Sequence, residues 1–348
     1  MTIRTVEIEP TNQCNTHCRH CPREAIARPQ GRMSWETFCR VADEVLTQGD
    51  VEAVDFSGMG EPLLNPLLAR FVARLSPHLD TLVTTNAALL TREQAAALID
   101  AGLGTAIISY NGHTSSLYAE MMGGLSIERA DANIRYLVRA AAGQVRVVAN
   151  VSVTPQTRIF LPQIQARLHD LGVEEASFSL CHNRGGYLED ATACDAGFLP
   201  VGRERCDIFA GTLFVAWNGD VLACCHDLAG EGKIGSLCSE SIQAIVQERQ
   251  RLLAQGLPFP MCEKCNDTYR IGRDPTPDRR PLSEWIYALY SERDADEAGL
   301  MEVVRRQEAR IDELEALIER IQQGRFMRLM RWVHRTRQRI LGAPDASP

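Results

Sequence analysis

Three cysteines fall within eight residues, Cys14-Asn15-Thr16-His17-Cys18-Arg19-His20-Cys21, directly behind the β-rich run Val6-Glu7-Ile8-Glu9. Thiolates on so short a loop can converge on one iron–sulfur cluster. Such clusters are normally held by four cysteines, so a three-cysteine loop leaves one iron open, as catalytic metal sites leave a coordination position open. A zinc knot or a set of ordinary buried thiols is the alternative. Zinc sites usually pair cysteines as C-x2-C and take four ligands; no cysteine or histidine follows at knuckle spacing, although His17 and His20 lie inside the loop.

The remainder of the chain narrows the context of this loop. At 348 residues it is long enough for a large catalytic domain and a smaller one. A net charge of −8 gives no electrostatic case for nucleic acid. Met1–Val6 carries no apolar signal-peptide core, and no run approaches membrane-spanning length. Twelve cysteines without a secretion signal argue against a disulfide framework and for metal ligation in a reducing compartment, the cytoplasm.

From Thr5 to about Leu180, β-rich runs alternate with helical stretches. Strands are expected at Thr5–Glu9, Ala53–Ser57, Leu82–Thr85, Thr105–Ser109, Val145–Val153 and Ala176–Leu180. Helices are expected at Ser34–Thr47 with Ser34 as N-cap, around Pro66–Leu75, and from the capping box Thr91-x-x-Gln94 to Ala101. Two more follow at Ile127–Ala141 and Leu161–Leu171. Six β-α units in series imply a parallel sheet with right-handed crossovers, but the count alone does not separate an open sheet from a partial barrel.

The C-x3-C-x2-C spacing of Cys14, Cys18 and Cys21 resembles the signature of the radical S-adenosylmethionine (SAM) superfamily. The resemblance implies an α/β fold, a partial (β/α)6 TIM-like barrel, with a SAM-binding [4Fe–4S] cluster on these cysteines. It also implies cleavage of SAM to methionine and a 5′-deoxyadenosyl radical, with the cleaving electron delivered by an external one-electron donor. In β/α barrels the chemistry sits at the C-terminal strand ends, and each informative residue falls there. Gly58-Met59-Gly60-Glu61 is similar to the family's GGE motif, which receives the SAM amino group; small residues let backbone approach a ligand, and a carboxylate accepts from an ammonium. Asn86 ends the third strand, with Ala87 where relatives often carry glycine, and Ser109-Tyr110-Asn111-Gly112 resembles the segment that contacts ribose and carboxylate. Asn150 in the fifth strand and His20 before the third cysteine are further SAM-contact candidates. Cys181, His182 and Arg184 end the sixth strand and are the candidates for substrate contact: a hydrogen-atom donor, a proton acceptor and a holder of hydroxyl or anionic groups.

A second cysteine set follows. Cys206 precedes Thr212–Trp217, the dipeptide Asn218-Gly219 and Asp220–Cys224, a pattern that signals a type I′ hairpin returning Cys224 toward Cys206. Cys262-Glu263-Lys264-Cys265 adds a C-x2-C pair. Spacing alone admits zinc or a [4Fe–4S] cluster. The run from Val215 to Cys225 resembles the SPASM/twitch extension of radical SAM enzymes, with a cysteine pattern like that of the butirosin-pathway inosamine dehydrogenase. That resemblance implies one auxiliary [4Fe–4S] cluster on Cys206, Cys224, Cys262 and Cys265, with Cys225 as the alternative to Cys224. Cys39, Cys194 and Cys238 are read as ordinary thiols.

The expected organisation is therefore a radical SAM partial barrel over 1–185, a small twitch/SPASM-like auxiliary domain over 186–270, and a linker, heptad helix and basic amphipathic tail over 271–348. A fully ligated auxiliary cluster suits electron transfer, so the expected reaction is oxidation of a hydroxyl on a carbohydrate-like small molecule. An epimerase or dehydratase and a peptide-modifying maturase share the extension and stand as alternatives, beside a non-enzymatic zinc scaffold. The tail repeats Leu300, Val304, Gln307, Ile311, Leu314, Ile318 and Ile321 at heptad spacing, which suits a homodimer or packing on its own barrel. The arginines between Arg325 and Arg339 interleave with apolar residues, which suits peripheral membrane contact or a solvated helix end.

Overall fold

The computed structural model describes residues 2–188 and 206–267, all within the first of two compact units, Met1–Arg273. Cys194, the heptad helix with its dimer contact, and the basic tail with its membrane contact lie outside the described residues. No helix among the described residues is long and apolar enough to cross a membrane.

The chain opens with β1 (Thr5–Ile8), whose Val6 and Ile8 are buried while Glu7 points to the opposite face. Helix α1 (Trp35–Thr47) starts where Ser34 accepts a hydrogen bond from the Thr37 amide, and it buries Phe38, Val41, Ala42 and Val45. There follow β2 (Ala53–Phe56), α2 (Leu68–Leu75), β3 (Asp80–Thr85) and α3 (Arg92–Asp100). Both halves of the Thr91–Gln94 capping box are formed. The Phe38 and Phe71 rings stack at 4.1 Å and join α1 to α2 over the outer face of the sheet. Each buried phenylalanine contributes roughly 1.5–3 kcal/mol.

The series continues with β4 (Thr105–Ser109), α4 (Ser115–Met121), α5 (Ile127–Ala141), β5 (Arg146–Val153), α6 (Leu161–Asp170) and β6 (Glu175–Leu180). Helix α4 was not anticipated from sequence; its seven residues are too few to show a helical period. Beyond residue 206 come α7 (Asp207–Gly211), β7 (Thr212–Val215), β8 (Asp220–Leu222), β9 (Lys233–Ser236), α8 (Ile242–Ala254) and α9 (Pro260–Lys264).

The strands form one sheet in the order β6-β5-β4-β3-β2-β1-β7-β8-β9. All pairs from β6 to β7 are parallel, which gives the six-stranded partial barrel, and β7-β8-β9 is antiparallel. Strand β7 pairs in parallel with β1, Thr212 beside Thr5 and Val215 beside Ile8. The sheet therefore runs without a break from the barrel into the segment that carries the second cysteine set.

The β7–β8 hairpin forms at Asn218-Gly219, but its turn is not the type I′ expected. The Gly219 amide donates to Ala216 O at 2.8 Å, the Ala216 amide donates to Asp220 O, and of the turn residues only Gly219 has a positive φ, +86°. This is a type I turn closed by a glycine bulge, which needs one left-handed residue rather than two.

Candidate active site at the strand ends

The cysteine loop leaves the end of β1 and is fixed by its backbone and polar side chains. Thr16 Oγ1 donates to Met122 O at 2.5 Å, Asn15 Oδ1 accepts from Asn86 Nδ2 at 2.9 Å, and the Glu61 amide donates to Gln13 O at 2.8 Å. Cys14, Cys18 and Cys21 are brought close enough for their charges to act on one another. Burial, reinforced by Cys21 and Cys14, pushes the Cys18 thiol up to about 12. Cys14 and Cys18, two thiols that burial keeps from ionising, suit a site where an iron cluster supplies the compensating positive charge.

The motif after β2 serves this loop first. A side-chain carbon on Gly60 would stand 2.1 Å from Thr11 O and 2.5 Å from Gln13 O, so glycine is required for the two backbones to meet. Gly58 has φ +123° and lies against the Glu9 side chain. Glu61 is buried, accepting from Thr85 Oγ1 at 2.6 Å, the Asn86 amide at 2.9 Å and the Leu63 amide at 3.1 Å. Gly58 and Gly60 border the cavity, as expected of ligand contacts, and Gly60 also lets the backbone ahead of the cysteine loop approach. Gly123, which sequence reasoning missed, does the same from the far side. Its φ is +62°, and a side-chain carbon there would stand 2.5 Å from His17 O.

Asn86, Asn111 and Asn150 all face the same cavity, as do His20 and Ser109. Asn111 Oδ1 accepts from the Ser152 amide at 2.6 Å, and its Nδ2 lies 3.4 Å from His20 Nε2. Burial, and then the Arg184 charge, lowers the His20 pKa to about 4, so the ring is neutral at pH 7. Asn150 Oδ1 accepts from Ser179 Oγ at 3.2 Å. Ala87, at the position where a glycine was expected, takes φ +58° and is fully buried.

The cavity has a volume of about 470 Å³ and runs from the three cysteines across the inner face of the sheet. Its floor carries polar side chains, Glu7 on β1, Asp55 on β2, Thr84 on β3 and Ser177 and Ser179 on β6, interrupted by Ile107 on β4 and Val148 on β5. Ser57 Oγ donates to Glu7 Oε1 at 2.9 Å, and Thr84 Oγ1 donates to Asp55 Oδ1 at 3.2 Å. Burial, with the neighbouring Asp55 charge, raises the Glu7 pKa to about 7; burial raises Asp55 to about 6. Sequence reasoning missed both carboxylates. The signal was present, since strands of a parallel sheet are usually apolar on both faces, and Val6-Glu7-Ile8-Glu9 and Val54-Asp55-Phe56 are not.

Of the three substrate-contact candidates, Arg184 lines the cavity, while Cys181 and His182 lie outside its walls. Cys181 is buried. His182 Nε2 is 3.2 Å from Asp267 Oδ2, which also meets His226 Nε2 at 2.8 Å. Burial, then the Arg184 charge and His226, pushes the His182 pKa down, which favours a neutral ring. Besides Cys14, Cys18 and Cys21, the cavity is lined by the thiol of Cys225, hydrogen-bonded to Glu7.

Cys224, one residue earlier, turns the other way. The charges that act on it are those of Cys262, Cys206 and Cys265, so the four cysteines converge. Beside them lies Arg249 of α8, 0 % exposed, whose Nε and Nη1 have no hydrogen-bond partner among the described residues. A buried guanidinium without a counter-charge costs several kcal/mol. An anionic thiolate-bound cluster against Cys206 and Cys224 would answer it, so the donor set and its surroundings fit an iron–sulfur cluster.

A partial barrel with a three-cysteine loop behind β1, followed by a four-cysteine module on the same sheet, defines a SAM-dependent radical enzyme with an auxiliary cluster. Residues 8–157 match the model of the radical SAM superfamily, and residues 206–266 match that of the SPASM iron–sulfur cluster-binding domain. The chain belongs to the radical SAM superfamily and carries a SPASM domain; its cofactors are SAM, a SAM-binding [4Fe–4S] cluster and an auxiliary [4Fe–4S] cluster. The iron–sulfur match sets aside the zinc-scaffold reading.

Among curated proteins, the chain is 23% identical over 177 residues to the tungsten-containing aldehyde ferredoxin oxidoreductase cofactor-modifying protein of Pyrococcus furiosus, covering 49% of this chain and 50% of that protein. It spans about half the length of this and a further curated relative, a probable GTP 3′,8-cyclase of Methanothermobacter marburgensis. Among solved structures it resembles Streptococcus suis SuiB bound to precursor peptide SuiA, with a TM-score of 0.61, 16% identity, and coverage of 76% of this chain and 70% of that one. It also resembles BtrN in complex with AdoMet and 2-DOIA, with a TM-score of 0.55, 19% identity, and coverage of 77% and 94%. At these identities the structural likeness concerns the fold.

Proposed function

We propose that this enzyme oxidises a hydroxyl group of a carbohydrate-like small molecule in the cytoplasm, with an external one-electron donor starting each turnover. Cys14, Cys18 and Cys21 would hold the SAM-binding cluster, and Cys206, Cys224, Cys262 and Cys265 the auxiliary one. When bound, SAM and its cluster supply a 5′-deoxyadenosyl radical that removes a substrate hydrogen atom, and the auxiliary cluster supplies an acceptor for one electron. His20, Gly58, Gly60, Glu61, Asn86, Ser109, Asn111 and Asn150 form the SAM side of the cavity. The carrying observation is the set of polar side chains on the floor, Glu7, Asp55, Thr84, Ser177 and Ser179, which offer hydrogen bonds to a polyhydroxylated ligand. Arg184, which also lines the cavity, donates to a substrate oxygen. Glu7 takes the hydroxyl proton that leaves as a carbinol carbon becomes a carbonyl; a carboxylate with a pKa near 7 is suited to accept a proton at neutral pH.

A second reading, epimerisation, is favoured by one observation: the Cys225 thiol lines the cavity and can return a hydrogen atom to a substrate radical. Product mass separates the two. The anaerobically reconstituted chain is incubated with SAM, dithionite and a panel of sugars, polyols and aminocyclitols. A product lighter by two hydrogens supports oxidation. Products of unchanged mass that need Cys225 overturn it in favour of epimerisation, and turnover of a peptide alone overturns the small-molecule reading.

A further inference from the structure

Arg249 is unusual among the cations of this molecule. It sits on α8 with no exposed surface, against Phe209, which forms a small apolar cluster with Ala223 and Leu257. Its Nη2 donates to Phe209 O at 2.5 Å and Thr212 O at 2.7 Å, and its guanidinium lies 4.2 Å from the centre of the Phe209 ring. No carboxylate pairs with it among the described residues; the groups near enough to act on its charge are the thiols of Cys224 and Cys206. Two of its nitrogens, Nε and Nη1, are buried with no acceptor among the described residues. Arginine retains its proton under almost any burial, so the site contains a fixed positive charge and unused donors beside two of the four converging cysteines.

We propose that Arg249 is the buried counter-ion of the auxiliary cluster, raising its reduction potential and so favouring it as an electron acceptor. The inference rests on the reading that Cys206, Cys224, Cys262 and Cys265 hold that cluster. A fixed positive charge stabilises the reduced, more negative cluster over the oxidised one, and donors to cluster or cysteine sulfur act in the same direction. The helix thereby has two roles with one side chain. Nη2 ties α8 to the start of β7, and the rest of the guanidinium is left for the sulfur side.

The test uses the full chain with Cys14, Cys18 and Cys21 replaced by alanine, so that only the auxiliary cluster remains, reconstituted anaerobically. Iron content and a redox titration followed by electron paramagnetic resonance are compared for Arg249, Arg249→Lys and Arg249→Met. The expected result is that Arg249→Met shifts the oxidised-to-reduced equilibrium at least tenfold toward the oxidised form, a fall of about 59 mV for one electron. Arg249→Lys, which keeps the charge, stays within threefold of the parent. Loss of the cluster from Arg249→Met with retention in Arg249→Lys supports the same role. An Arg249→Met protein with parental iron and parental potential overturns the inference, as does equal loss of iron from both variants, which assigns the arginine to the fold alone. A parent without iron at the second site overturns instead the four-cysteine reading on which the inference rests.

Discussion

Arg28 and Glu9 form a buried two-point ion pair, Nη1 to Oε2 at 2.5 Å and Nη2 to Oε1 at 2.6 Å. The same carboxylate accepts from the Met59 amide at 3.2 Å and lies 3.4 Å from the Trp217 amide. One side chain thus joins the end of β1, the segment behind the cysteine loop, the glycine motif and the β7–β8 turn. Removing one partner of a buried pair costs about 3–5 kcal/mol, because the other charge is left uncompensated. Arg28→Met should destabilise the protein by that amount in chemical denaturation, and the double variant Arg28→Met/Glu9→Gln should recover part of it.

The adjacent cysteines should separate cleanly. Cys224→Ala is expected to remove roughly four irons per chain, the content of one cluster. Cys225→Ala is expected to keep the parental iron content and to alter only turnover. Iron analysis of the two variants checks the assignment, and equal iron loss from both would contradict it.

Gly60→Ala should act on the first cluster and not on the second. The added carbon, 2.1 Å from Thr11 O, forces the backbone ahead of Cys14 to move. The expected outcome is a folded protein that binds roughly four irons instead of roughly eight and cleaves SAM at least tenfold more slowly.

Glu7 makes stability depend on pH in a stated direction. Its pKa is about 7 in the folded protein against an ordinary 4.5. Across that window the folded state binds more protons, so stability falls as pH rises from about 4.5 to about 7 and is level above it. The loss is on the order of 3 kcal/mol. Asp55, raised from 3.8 to about 6, contributes with the same sign. Denaturation of Glu7→Gln should show a flatter decline over this range, and product formation by the parent should rise through pH 7 while that of the variant stays low.

The alternation of strands and helices from Thr5 to Leu180 was legible because helical and strand periods differ and the caps Ser34 and Thr91 are explicit. The cysteine spacing pointed to both cofactor sites. What sequence did not show were relations across the sheet. Glu7 and Asp55 read as strand residues, and only strand pairing places them side by side under one cavity. Gly60's second task, backbone packing on Thr11 and Gln13, was hidden because these lie nearly fifty residues earlier in the chain. Cys181 was legible because it ends β6, whereas Cys225 reaches the cavity lining only through the long-range return of the β8 segment. Arg249 had no signal at all, since an arginine on an amphipathic helix is ordinarily exposed.

The opposed directions of Cys224 and Cys225 have a consequence for how this enzyme can diverge. A single peptide link separates the sulfur grouped with the other three cysteines from the sulfur that borders the cavity. Inserting or deleting one residue there would swap their destinations, so reactivity and wiring are inherited as a unit. Side chains on the far strands of the floor, Ser177 and Ser179 on β6, are free of that junction, whereas Glu7, bonded to Cys225, is tied to it.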